Sequence, residues 1–167
     1  LRVIMYDGYG GTSDPSNKTV HVTSVNDAPT LSAISSPQFV SAGSTNAVLV
    51  NGITSGCISE SQTLTITAVS DNPTLVSVLT PISYTSPNPT GTVRFIAAAG
   101  QSGTAHITVT IQDNGGTANG GIDSVSRAFA VAVLGPPTVQ IVRPQENESF
   151  SARATIALNA IAEDFGG

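Results

Sequence analysis

Ile107-Thr108-Val109-Thr110-Ile111, the run Asp113-Asn114-Gly115-Gly116-Thr117, and then Val125-Ser126-Arg127-Ala128-Phe129-Ala130-Val131-Ala132-Val133 decide the fold. Ile107, Val109 and Ile111 alternate with Thr108 and Thr110. Phe129, Val131 and Val133 alternate with smaller residues. A period of two sends successive side chains to opposite faces of a strand. The two runs, strands F (107–111) and G (125–133) joined by a glycine-rich turn, therefore predict an antiparallel hairpin with one buried face.

The same signal continues outward. Strand A is expected at 31–34 and again near Phe39-Val40, B at 47–53, and C at 62–69 with Leu64, Ile66 and Ala68 inward. Strand D is expected at 75–79, extended by 82–84, and E at 92–97 with Val93 and Phe95 inward. No stretch shows a 3.6-residue period. Short strands at this spacing, punctuated by 16 Gly and 10 Pro, predict an all-β protein built from seven-stranded antiparallel Greek-key β-sandwiches.

The hairpin also has a copy near the start of the chain. An apolar strand end at 1–5 leads into Tyr6-Asp7-Gly8-Tyr9-Gly10-Gly11. A second strand is then expected at 18–25, with Val20 and Val22 on one face. Asp7 falls on Asp113 and Pro29-Thr30 on Pro137-Thr138, at an offset of about 106 to 108 residues. Residues 30–34 likewise match 138–142, and Val48 and Val50 match Ile156 and Leu158. Repetition at domain length predicts tandem modules that meet end to end. The division is the C-terminal hairpin of one module at 1–27, a complete module at 28–135, and the first strands of a third at 136–167. The chain reads as a segment of a longer polypeptide. The joint between the first two modules is Val25-Asn26-Asp27-Ala28-Pro29-Thr30, where a proline that cannot donate to a sheet stops the pairing.

Composition narrows the function. Charged residues make up 10% of the 167, the net charge is -5, and the six basic residues are dispersed. A nucleic-acid partner is therefore not expected. No apolar run approaches the roughly 20 residues of a membrane span. One cysteine, Cys57, leaves no internal disulfide and no cysteine zinc site. His21 and His106 read as surface residues on polar strand faces. The glycine-rich loop 114–121 lacks the Gly-Lys-Ser/Thr ending of a phosphate cradle and reads as a turn. No serine sits in a nucleophile motif and no pair of acids stands out, so an enzyme is not expected.

Several segments together resemble the cadherin-like repeats of large bacterial surface and secreted proteins. They are the 25–30 linker, Ser61-Gln62-Thr63-Leu64-Thr65-Ile66-Thr67-Ala68, Tyr84-Thr85-Ser86-Pro87-Asn88, and Ser102-Gly103-Thr104-Ala105-His106-Ile107-Thr108-Val109. The loop 113–123 also matches. Pro137-Thr138-Val139-Gln140-Ile141 and Ala160-Ile161-Ala162-Glu163-Asp164 resemble the start of a bacterial immunoglobulin-like repeat. The resemblance implies a secreted or cell-surface location and a non-catalytic stalk, spacer or adhesin repeat, often stiffened by calcium at its joints.

In this topology the B–C and F–G loops lie at the end where strand A begins. That gathers Asn26, Asp27, Glu60, Asp113, Asn114 and Asp123 at the first joint, a candidate Ca2+ site with Asn26, Asp27, Glu60, Asp113 and Asp123 as ligands. Calcium takes six to eight oxygen ligands, and two places where related modules carry paired acids here read Val40-Ser41-Ala42-Gly43 and Ser55-Gly56-Cys57. Two readings stay open: a depleted calcium site, or acids and amides that simply form turns. The second joint, Gly135-Pro136-Pro137, has no carboxylate and reads as proline-stiffened. The expected partners are the neighbouring modules. The alternatives are an accessory module that binds a cell-surface glycan or protein, with Tyr6, Tyr9 and Tyr84 as candidate aromatics, or a subunit that self-associates into an extracellular fibre.

Overall fold

The computed structural model describes residues 2–4, 8–11, 16–17 and 21–163. Its strands are β1 (Arg2–Val3), β2 (Ser16–Asn17), β3 (Gln38–Ser41), β4 (Thr45–Asn51), β5 (Thr65–Ser70), β6 (Val76–Ser83), β7 (Thr90–Ala97), β8 (Gly103–Gln112), β9 (Ser124–Leu134), β10 (Thr138–Arg143) and β11 (Asn159–Glu163). The chain is all-β. One 3-10 turn, Ala118–Gly120, interrupts the loop between β8 and β9.

β3 to β9 form a sandwich. One sheet has the order β3-β9-β8-β5 and the other β4-β7-β6. The alternation around Ile107 becomes the longest ladder, with Ile107 opposite Phe129 and Ile111 opposite Val125. Its inward residues Ile107, Val109, Ile111, Phe129 and Val131 are buried. Val93 and Phe95 on β7 close the core from the opposite sheet. The Phe95 and Phe129 rings meet across it, with centroids 6.3 Å apart and planes tilted by 54°, a spacing typical of favourable aromatic pairs. Every fully apolar core position lies between Leu31 and Val133.

Strand A divides between the sheets. Thr30 bridges Thr54, and the Ser32 N–H donates to the Asn51 carbonyl, so this part adds to the β4 sheet. After Ser35-Ser36-Pro37, β3 joins the other sheet and runs parallel to β9, Gln38 opposite Val131 and Ser41 opposite Leu134. This pair departs from the wholly antiparallel expectation. A strand that continues in the same direction while changing sheets meets the last strand of the sandwich in the parallel sense. On β6 the register shifts between Leu79 and Ser83, around Pro81, which cannot donate to the ladder.

Outside the sandwich, β1 pairs with β2 and β10 with β11, both antiparallel. Thr138 lies opposite Glu163 much as Thr30 lies opposite Thr54. Of the strand expected at 18–25, residues 18–20 lie outside the described residues. Residues 21–25 are irregular, and Val22 is 89% exposed. Alternation was a poor guide there because the five residues before Asn26 pair with no described strand. Tyr6, Asp7 and Lys18 also lie outside the described residues.

At the sandwich end away from the 25–30 linker, Asp71 holds the turn after β5 onto β8. The His106 N–H donates to Asp71 Oδ1 at 2.7 Å, the Asp71 N–H donates to the His106 carbonyl at 3.0 Å, and His106 Nδ1 lies 3.1 Å from Asp71 Oδ2. His106 is thus a surface residue with a carboxylate partner. The His106 amide is the main reason the Asp71 carboxyl titrates below its usual 3.8, and the imidazole adds to the effect. A carboxyl with a depressed folded pKa contributes stability above its unfolded pKa and loses it as pH falls through the folded value. Asp71→Asn is therefore expected to flatten the acid limb. Between about pH 5 and pH 2 the wild-type melting temperature falls more steeply than the variant's, as thermal melts across that range would show.

Candidate functional site

The segment 25–30, expected as the first joint, is organised around the side chain of Asn26. It is half-buried, and it reaches both loops that the topology brings to this end. Its Nδ2 faces three oxygens: Asp113 Oδ1 at 2.9 Å, the Gly116 carbonyl at 3.1 Å and the Ile122 carbonyl at 2.9 Å. Three acceptors around one atom fix that atom as nitrogen. Its Oδ1 accepts a short hydrogen bond from Gln62 Nε2, and its backbone carbonyl accepts from the Ile122 N–H at 3.2 Å. One residue of the linker is thereby bonded to the segment that opens strand C and to the loop between β8 and β9.

The neighbours complete the clamp. The Asp27 N–H donates to Glu60 Oε1 at 3.2 Å. Asp113, 6% exposed, accepts on the same Oδ1 from the Gly115 N–H at 2.8 Å. Asn114 Oδ1 accepts from the Thr63 N–H at 2.9 Å, tying the β8–β9 loop to the B–C loop. Pro29 is buried beside them. Asp123 is placed differently. Its backbone carbonyl accepts from the Asp113 N–H, while its carboxylate turns outward and accepts from Gln112 Nε2 at 3.2 Å. Of the five candidate ligands, the structure therefore joins Asn26 to Asp113 and Asp27 to Glu60, and leaves the Asp123 carboxylate apart.

The glycines of the loop divide into two kinds. Gly116 and Gly120 have φ of +77° and +86°, with open space where a Cβ would stand. They make the turn, as expected of glycine. Gly115 and Gly121 have no such backbone. A Cβ on Gly115 would overlap Asn26 Oδ1 and Cγ and Gln62 Nε2, and one on Gly121 would stand 2.9 Å from Asn26 Cβ. These two glycines are the seat of the asparagine. Sequence reading assigned the whole run to turn formation. It also missed Gln62, which reads as an ordinary strand residue until the fold places it beside residue 26.

The fit to calcium can be counted. Among the described residues, no three His, Cys, Asp or Glu side chains gather as they would around a metal ion. At the joint three buried side-chain oxygens lack a protein partner: Glu60 Oε2, Gln62 Oε1 and Asp113 Oδ2. Three oxygens fall short of the six to eight that calcium takes. The other oxygens near them, Asp113 Oδ1 and the carbonyls of Gly116 and Ile122, already accept from the Asn26 amide. As arranged, the donor set does not fit the ion, and the three spare oxygens suit water.

Beside the clamp lies an open cleft of about 810 Å3, lined by Ile53, Cys57, Ile58, Glu60, Leu64 and Pro87 among others. Cys57 is a half-exposed free thiol, its Sγ 3.0 Å from Ser59 Oγ. Of the candidate aromatics, Tyr9 is exposed and Tyr84 is half-buried. Burial pushes the Tyr84 phenol above its usual range, opposed by the Ser86 hydroxyl. Tyr84 packs against the core. No described helix is long and apolar enough to cross a membrane.

No family model matches the chain, and no curated protein matches it. Solved structures similar to it include domains 4 and 5 of the S-layer protein SbsC, at 21% identity and a TM-score of 0.39 over 63% of this chain and 53% of that one. Domains 4–9 of the surface layer protein SbsC match at 19% and 0.39, over 95% and 23%. The titin domains z1z2 in complex with telethonin match at 19% and 0.36, over 72% and 55%. The chain spans about half the length of the first of these structures. At such identities and scores the likeness concerns the β-sandwich alone and bears on neither activity nor partner.

Proposed function

We propose that the chain is a non-catalytic structural segment, a stalk, spacer or adhesin repeat of a large bacterial extracellular protein. In this reading residues 28–135 are a cadherin-like module, 1–27 end the module before it, and 136–167 begin an immunoglobulin-like one. The observation that carries the reading is the Asn26 clamp. A linker that only had to connect two domains would leave its polar side chains in water. Here one linker residue is bonded to two separate loops of the following sandwich, which fixes the direction in which the preceding chain departs.

The low charge suits a surface that rests on Ser and Thr hydroxyls, such as Thr110 and Ser126, which pair at 2.7 Å on the outer face of β8 and β9. The test uses the parent polypeptide. Antibody against residues 28–135 labels intact cells, and purified parent protein imaged by negative stain appears as an elongated, beaded particle. Label confined to permeabilised cells, or a compact particle, would overturn the proposal.

A further inference from the structure

We infer that the Asn26 amide occupies the place of a cation at this joint, so that the clamp closes without metal and a single substitution converts it into a calcium-dependent one. The geometry is that of a small oxygen cage around Nδ2. One carboxylate oxygen and two carbonyls converge on it at 2.9–3.1 Å, and its partial positive charge is what draws the three together. An amide nitrogen carries two hydrogens, so one of them is shared between two of the three acceptors.

The same nitrogen is what denies the cage to an ion. Beyond it, Asp113 Oδ2, Glu60 Oε2 and Gln62 Oε1 remain buried and unpartnered. Asn26→Asp replaces the donating NH2 with an oxygen of similar size. The carbonyls of Gly116 and Ile122 lose this donor, Asp113 Oδ1 keeps only the Gly115 N–H, and a second carboxylate faces Asp113 across the distance of a hydrogen bond. Like charges at that range repel strongly unless a cation lies between them. Both oxygens of Asp113, the carbonyls of Gly116 and Ile122 and the two oxygens of the new carboxylate make six, the lower end of what calcium takes. Gly115 and Gly121 already leave residue 26 the room it needs.

The experiment compares melting temperatures of the 167-residue chain and two variants, in chelator and at about 10 mM calcium, with magnesium as the ion control. The wild type is expected to melt at the same temperature in all three. Asn26→Asp is expected to melt roughly 10 °C lower in chelator and to recover several degrees in calcium but not in magnesium. Asn26→Ala, which removes the donor without supplying an oxygen, falls similarly and does not recover. A wild-type melting temperature that rises with calcium overturns the inference, as does an Asn26→Asp variant that loses nothing in chelator or regains nothing in calcium. Should Asn26→Asp fail to fold in chelator, refolding on calcium addition supports the inference, and failure to refold overturns it.

Discussion

Phe95→Ala is expected to destabilise the sandwich by about 3–5 kcal/mol and to lower its melting temperature by at least roughly 12 °C. Phe95 is fully buried on β7, the central strand of its sheet, and its ring meets Phe129 of the opposite sheet. Truncation removes one of the two largest fully buried side chains of the core, and the ring pair with it. The core around it is rich in β-branched residues, Val93, Ile107 and Val131 among them, which are stiff at χ1 and do not readily refill a space. Leu49→Ala is the comparison. Leu49 is 62% exposed on the edge strand β4, and its loss is expected to change stability by less than about 0.5 kcal/mol. Calorimetry of the three proteins checks both. Similar melting temperatures for Phe95→Ala and wild type would mean that the core is not organised around the ring pair.

The second large effect is expected at Gly115. Gly115→Ala places a methyl group where the Asn26 amide sits, so either the asparagine leaves its seat or the loop moves. Expelling it takes one donor each from Asp113, Gly116 and Ile122, so the part-buried Asp113 carboxylate and Gly116 carbonyl lose a partner while the exposed Ile122 carbonyl turns to water. At roughly 1–3 kcal/mol for each buried group left unsatisfied, partly offset by water, a net loss of about 2–4 kcal/mol follows. Gly116→Ala separates this from a generic loop effect. It meets nothing within 4 Å but must hold φ near +77°, a strain of about 1–2 kcal/mol. Hydrogen exchange gives the local readout. The Ile122 amide, which donates to the Asn26 carbonyl, loses protection in Gly115→Ala and keeps most of it in Gly116→Ala. Equal behaviour of the two variants would mean that Gly115 is only a turn residue.

These outcomes show which parts of the molecule its sequence expresses. The sandwich was legible because a strand with one buried face must alternate, and Ile107, Val109 and Ile111 do so without interruption. The inward residues of C, E, F and G followed directly. Alternation says nothing of partners, however, so the parallel pairing of β3 with β9 was not legible, and at 21–25 alternation did not yield a strand. At the joint, Asn26, Asp27, Glu60 and Asp113 were found as oxygen-bearing residues at one end of the fold. Their wiring was not, because an asparagine offers either a donor or an acceptor to a neighbour. Only the presence of three oxygens around its nitrogen decides between them. Gly115 and Gly116 look alike in a sequence. One is there for what it omits beside Asn26, the other for the backbone angle it permits.

The parallel seating of β3 on β9 sets how the sandwich meets a pulling force. The chain enters near Asn26 at one end and leaves after Leu134 at the other, and the two strands nearest those exits lie side by side from Gln38 to Ser41. Tension applied through the neighbouring segments tries to slide one past the other. The rungs of that ladder, with the Ala42 N–H to Leu134 carbonyl bond at 2.9 Å beyond it, are then loaded in shear and share the force. An antiparallel hairpin in the same place would be peeled open one bond after another at far lower load. The short β3 strand is therefore placed as a mechanical latch, in series with the Asn26 and Thr30 contacts that the same pull reaches first.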